Sequence, residues 1–136
     1  ATIYKEEYFE KFDKILLDVL CLGIGVIRRK PDIKWQRQKE NINEITKIQM
    51  QILETCSKYL KKGGELVYST CSIFEEENQN IIDGFLNKNP EYEISRYENI
   101  ANNVEISRYI VEDKYIKIYP NDTNDGFFIC KIYKKN

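Results

Sequence analysis

The sequence predicts an α/β fold, a mixed sheet that is parallel in part and carries flanking helices. Three observations carry that reading. The continuous apolar run Lys14-Ile-Leu-Leu-Asp18 is followed by helical periodicity over Asn41–Leu60 and then by the β-branched run Glu65–Thr70. Strand, helix, strand in this order joins parallel strands by a right-handed crossover. A second helical pattern follows at once, and the chain closes on two alternating runs around a polar turn, the pattern of an antiparallel pair.

Taken in order, Tyr4–Lys11 is charged and helix-tolerant and leads into the first strand, whose apolar run reads as buried on both faces. Residues 21–39 form a loop-rich stretch with Gly23, Gly25 and Pro31. Ile42, Ile45, Ile48, Gln49, Ile52, Leu53, Cys56 and Leu60 then recur at helical spacing, which predicts the longest helix, about five turns. Lys61-Lys62-Gly63-Gly64 supplies basic residues and glycines suited to a helix C-terminus, and a strand follows over Glu65–Thr70. Ser72-Ile-Phe-Glu75 has the S-x-x-E form of a capping box and predicts a helix to about Asn87, ended by Pro90. Tyr92–Tyr97 is a weaker strand candidate, and Ile100–Glu112 fits either state. Tyr115–Tyr119 alternates as a strand, Pro120 stops it, and Asn121–Gly126 is turn chemistry before the last strand, Phe127–Tyr133.

Composition narrows the function classes. A chain of 136 residues with 42% hydrophobic and 12% aromatic residues can build one core without metals or disulfides. No apolar run approaches the roughly 18–20 residues that span a bilayer, and the opening ATIYKEEYFEK lacks the pattern of a secretory signal, so a cytoplasmic protein is expected. Cys21, Cys56, Cys71 and Cys130 are widely spaced, never CxxC, and the chain has no His. Neither a disulfide framework nor a Cys/His metal site is expected, and the thiols should be buried or reactive. Only two parallel strands precede the antiparallel end, and the chain opens at Ala1 rather than Met. Residues 1–136 are therefore expected to be the C-terminal portion of a larger domain.

Ligands of open α/β sheets sit beyond the carboxyl ends of the strands. Asp18-Val-Leu-Cys21 follows the first strand and Ser69-Thr-Cys71-Ser72 the second, so one sheet edge should present two thiols and a carboxylate. The ordinary reading of both is a buried thiol, since free Cys is among the most buried residue types. Cys71 is the better nucleophile candidate, because it precedes the helix expected to open at Ser72, whose N-terminus favours a thiolate. Glu75, Glu76 and Glu77 oppose that effect in part, and without His no Cys–His pair is available. Leu22-Gly-Ile-Gly25 is a poor match to a dinucleotide loop, since the third glycine position holds Arg28; it reads first as a tight turn. The stretch 28–39 holds six basic residues against one acid in a chain of net charge -1. Arg28, Arg29, Lys30, Lys34 and Arg37 could neutralise phosphates and Trp35 could stack an unpaired base, although a solvated loop with Trp35 packed inward is an equal reading.

The ordered series FDKILLDVLCLGIGVIRRKPDIKW, a long helix, YLKKGGELVYSTCSIFEEEN and NDGFFICKIYKK resembles the C-terminal half of the catalytic domain of bacterial 16S ribosomal RNA cytosine-5 methyltransferases. The resemblance covers nearly the whole chain, and IRRKPDIKW with YSTCS-x-x-x-EEN is its most specific part. It implies a partial Rossmann-like methyltransferase fold, S-adenosylmethionine as methyl donor and ribosomal RNA as partner. Cys71 matches the cysteine of the family's TCS motif that attacks C6 of the target cytosine. Cys21 matches the cysteine of its DAPC motif, which assists product release, and Asp18 matches the acid of that motif, which contacts the N3 edge of the ring. The target base would have to be flipped or already unpaired to reach them. This chain has Val19-Leu20 where the family has Ala-Pro, and Leu22 where the family commonly has Ser, which removes a fixed backbone angle from the loop. The family's glycine-rich loop and acid for S-adenosylmethionine precede the matched region, so cofactor-binding residues are expected upstream and the fragment is expected to be inactive alone.

Two other readings fit the same residues. The chain could be an RNA-binding or structural remnant whose altered 19–22 loop marks lost catalysis. It could also self-associate through an exposed sheet edge beside its first strand.

Overall fold

The computed structural model describes residues 3–19, 21, 35–96, 109–120 and 126–136, with the side chains of the long helix described from Ile42 onward. After a single 3-10 turn at Glu6–Tyr8 the chain forms β1 (Phe12–Asp18), α1 (Trp35–Ser57), β2 (Leu60–Thr70), a 3-10 turn at Glu75–Glu77, α2 (Gln79–Lys88), β3 (Tyr92–Ile94), β4 (Ile110–Val111), β5 (Tyr115–Ile118) and β6 (Phe127–Lys134). Among the described residues these make one six-stranded sheet of order β1-β2-β6-β5-β4, with β3 also on β6. β1 and β2 are parallel, and β6 runs antiparallel to β2, β3 and β5. The α/β class, the parallel start and the antiparallel close are thus as the sequence patterns indicate.

Alternation along the strands divides the sheet into two unlike faces. On one, Leu66, Tyr68 and Thr70 of β2 and Phe128, Cys130 and Ile132 of β6 are fully buried against Leu53 and Cys56 of α1 and Ile81, Ile82 and Phe85 of α2. Tyr68 meets Phe128 edge-on with ring centroids 6.4 Å apart, and Phe85 meets Tyr92 at 5.0 Å. Each such ring stabilises the fold by about 1.5–3 kcal/mol through burial. On the other face Leu16 is 71% exposed and Val67, Ser69, Ile129 and Lys131 are only half-buried. β1, at the end of the strand order, has its second edge unpaired among the described residues.

Several elements differ from expectation for identifiable reasons. The helix begins at Trp35, so the basic stretch becomes helical before it ends, and it stops at Ser57 rather than Leu60. Lys61-Lys62-Gly63-Gly64 consequently lies inside β2 and caps no helix. The glycines serve a bulge: the β1–β2 register jumps between Phe12↔Leu60 and Lys14↔Glu65. Gly63 takes φ 79°, and a Cβ on Gly64 would sit 2.9 Å from the Asp13 carbonyl oxygen, closer than any side chain tolerates. The segment from Tyr4 is a 3-10 turn without an α-helix, and the strand at Tyr92 ends by Ile94.

The capping box at Ser72 does not form. Ser72 bonds Glu77 rather than Glu75, the backbone makes one 3-10 turn, and the α-helix opens only at Gln79. The helix N-terminus invoked to activate Cys71 is therefore eight residues further along the chain, beyond the first-turn range over which a helix end acts.

Candidate active site

The site is built where β1 and β2 end side by side. Their parallel register pairs Asp18 with Ser69, and the Ser69 hydroxyl donates to Asp18 Oδ1 at 3.3 Å. The Val19 N–H donates to the Ser69 carbonyl at 3.1 Å, extending the ladder one residue past β1. Val19 is itself buried and anchors the exit of the strand in the core. Asp18 points to the open face and is exposed.

Two residues on from Ser69 and three on from Asp18 the chains meet again. Cys21 and Cys71 are paired sulfur to sulfur, with Cα atoms 6.5 Å apart, and both are half-buried. Two cysteines 50 residues apart in sequence become neighbours because parallel strands end together. The structure thus brings together Cys21 and Cys71 and places Asp18 at the adjacent register position. As a disulfide neither sulfur is nucleophilic, so any thiolate chemistry requires the reduced pair.

The other two thiols are of a different kind. Cys130 is fully buried; burial first, and the Asp83 carboxylate second, push its pKa up to about 12. Burial likewise raises the pKa of Cys56. Neither is a nucleophile near neutral pH.

Behind Cys71 lies a buried polar network that the sequence patterns did not reveal. Glu77 and Asn78 have no solvent exposure, unlike exposed Glu75 and Glu76 beside them. The Glu77 carboxylate accepts from the Ser72 hydroxyl and from Gln49 Nε2 of α1 at 3.1 Å, and its carbonyl accepts from the Tyr68 hydroxyl at 2.8 Å. That phenol ionises with difficulty, its pKa raised by burial and then by Glu77. Thr70 Oγ1 donates to Asn78 Oδ1 at 2.6 Å, and Asn78 Nδ2 donates to the Ser72 carbonyl at 2.9 Å. The available clue was the motif YSTCS-x-x-x-EEN, which ends on Glu77 and Asn78 but says nothing of their burial.

Arg28, Arg29, Lys30 and Lys34 lie outside the described residues, as does the Leu22–Gly25 segment. Trp35 and Arg37 fall in the first turns of α1 rather than in a loop. Among the described residues no cluster of His, Cys, Asp and Glu could hold a metal, and no helix is long and apolar enough to cross a membrane. A cavity beside β1 is lined by Phe12, Lys14, Ile15, Cys56 and Tyr59.

Comparison with known proteins identifies the family. The family described as 16S rRNA methyltransferase RsmB/F matches residues 2–133. Ribosomal RNA small subunit methyltransferase B of Yersinia pseudotuberculosis is 44% identical over 126 residues, covering 93% of this chain and 27% of that protein. The chain therefore spans about a quarter of the curated relatives it matches. Among solved structures, PH0851 superposes with a TM-score of 0.79 at 34% identity, over 93% of this chain and 27% of its own. NSun6 from Pyrococcus horikoshii, solved with SFG, superposes with a TM-score of 0.70 at 28% identity, over 91% of this chain and 30% of its own. With two strand-end cysteines meeting on a methyltransferase-type sheet and a match spanning nearly every residue, the chain belongs to the 16S rRNA methyltransferase RsmB/F family.

Proposed function

We propose that the full-length protein is an S-adenosylmethionine-dependent methyltransferase acting on C5 of a cytosine in 16S ribosomal RNA, and that residues 1–136 are the C-terminal portion of its catalytic domain. The observation that carries this reading is the convergence of Cys21 and Cys71 one step beyond the Asp18–Ser69 register pair. C5 of cytosine is a poor nucleophile on its own. Addition of the Cys71 thiolate to C6 breaks the C5–C6 double bond and places the electron pair on C5. S-adenosylmethionine supplies an electrophilic methyl group, and the residues that hold it belong to the remainder of the domain. Once C5 is methylated, its proton leaves, the double bond re-forms and the C6–S bond breaks. Cys21, close enough to touch Cys71, assists this release. Asp18 holds the N3 edge of the ring while it carries the extra electron density.

Alone the fragment is inactive on this reading, because the family's residues for the methyl donor precede the region matched here. The half-bare face around Leu16 and the edge of β1 that is unpaired among the described residues are then surfaces for the rest of the domain. Arg28, Arg29, Lys30, Lys34, Trp35 and Arg37 are proposed to carry RNA contacts.

The test is methyl transfer from labelled S-adenosylmethionine to 16S ribosomal RNA by the full-length protein, with the modified position mapped. The expected product is 5-methylcytosine, with a loss on the order of 10³-fold or more in Cys71→Ala. Methylation at a ribose or an exocyclic nitrogen, or full activity in Cys71→Ala, would refute the reading. Salt-sensitive RNA binding with no transfer at all would favour a non-catalytic remnant.

A further inference from the structure

The Cys71 loop is held by side chains that have left the positions sequence patterns assign to them. Asn78 stands directly before α2 and would ordinarily cap it, yet its side chain makes no cap bond. It turns back instead, accepting from Thr70 and donating to the carbonyl of Ser72. These two residues flank Cys71 on either side. Thr70 Oγ1 also accepts from the Ser72 N–H at 3.2 Å, and Ser72 Oγ accepts from the Phe74 N–H at 3.1 Å while donating to Glu77. Every one of Thr70, Ser72, Glu77 and Asn78 is buried, whereas Cys71 between them is half-exposed.

Polar groups taken out of water are retained where each finds a partner, and the cost of leaving one unpaired makes such a network rigid. This one backs the site of bond formation and leaves the sulfur-bearing residue between Thr70 and Ser72 partly exposed. We propose that Asn78, backed by Glu77 through Ser72, is a positioning residue for Cys71, a single side-chain amide clamping the chain on both sides of the nucleophile. The inference rests on the reading of Cys71 as the attacking thiol. A displacement of about 1 Å in a reacting group can cost about 10²-fold in rate, and that is the effect expected here.

The test uses the full-length protein in steady-state methyl transfer to 16S ribosomal RNA, with Cys71→Ala alongside. Asn78→Ala should lower kcat about 10²-fold with KM for RNA within about 2-fold, since the base is still bound and only the attack is misaligned. Thr70→Val, which removes the hydroxyl Asn78 accepts from while keeping its shape, should lower kcat in the same direction and is the deciding variant if Asn78→Ala fails to fold. Asn78→Asp keeps the acceptor but turns a carboxylate oxygen toward the Ser72 carbonyl. A protonated carboxyl restores the lost donor, so the activity of Asn78→Asp relative to wild type should rise as pH falls, a profile that a general loss of stability would not give. Wild-type kcat in both Asn78→Ala and Thr70→Val, with Cys71→Ala inactive, would overturn the positioning role and leave the nucleophile in place. Activity retained in Cys71→Ala would overturn both.

Discussion

The ends of β1 and β2 are equivalent by topology and unlike in construction. Each belongs to one of two parallel neighbours, each is followed by a cysteine, and the two cysteines touch. Beyond β2 the chain is tied down by buried Thr70, Ser72, Glu77 and Asn78. Beyond β1 the described ties are the Val19 ladder bond, the Ser69–Asp18 hydrogen bond and the sulfur contact itself. The difference teaches that position at a sheet edge brings chemical groups together, whereas holding one of them in register takes a second layer of polar side chains. β2, which carries the proposed nucleophile, lies inside the strand order and receives that layer, while β1 stands at the end of the order among the described residues.

The largest effect that would sharpen this comparison is chemical. Hydrogen peroxide, taking the two thiols to a disulfide and itself to two waters, should abolish alkylation of Cys21 and Cys71 together, and dithiothreitol should restore both. At pH 8 the reduced protein should react with iodoacetamide at these two positions and leave Cys130 unmodified, because a thiol with a pKa of about 12 carries almost no thiolate there. Peptide mapping checks both statements, and independent oxidation of the two cysteines would break the pairing. A smaller effect separates the supports of the two strands. Phe128→Ala, on β6 beside β2, should destabilise the protein by about 3–5 kcal/mol in urea unfolding. Leu16→Ala, on the open face of β1, should lie within about 0.5 kcal/mol of wild type in the isolated chain.

How much of this was legible in the sequence follows the physics of each signal. Strand–helix–strand order, the antiparallel close and the two strand-end cysteines could be read because apolar periodicity and topology are local or nearly so. The role of Gly63-Gly64 could not, since a helix stop and a strand bulge ask for the same residues. The Ser72–Glu75 capping box was misread because Ser72 had a better partner in buried Glu77, a choice made by tertiary packing against Gln49 and Tyr68. The meeting of Cys21 with Cys71 followed from adjacent strand ends, but their pairing depended on a register fixed by the bulge in β2. Nothing in the spacing of Glu75-Glu76-Glu77-Asn78 announced that the last two residues turn inward.

The most direct measurement of the central claim is covalent trapping of the full-length, reduced protein on 16S ribosomal RNA containing 5-fluorocytosine, where the fluorine blocks loss of the C5 substituent and freezes the adduct. Mass spectrometry of the trapped complex should place the RNA on Cys71, with the adduct absent from Cys71→Ala and still formed by Cys21→Ala. An adduct on Cys21, or one that persists undiminished in Cys71→Ala, would contradict the account.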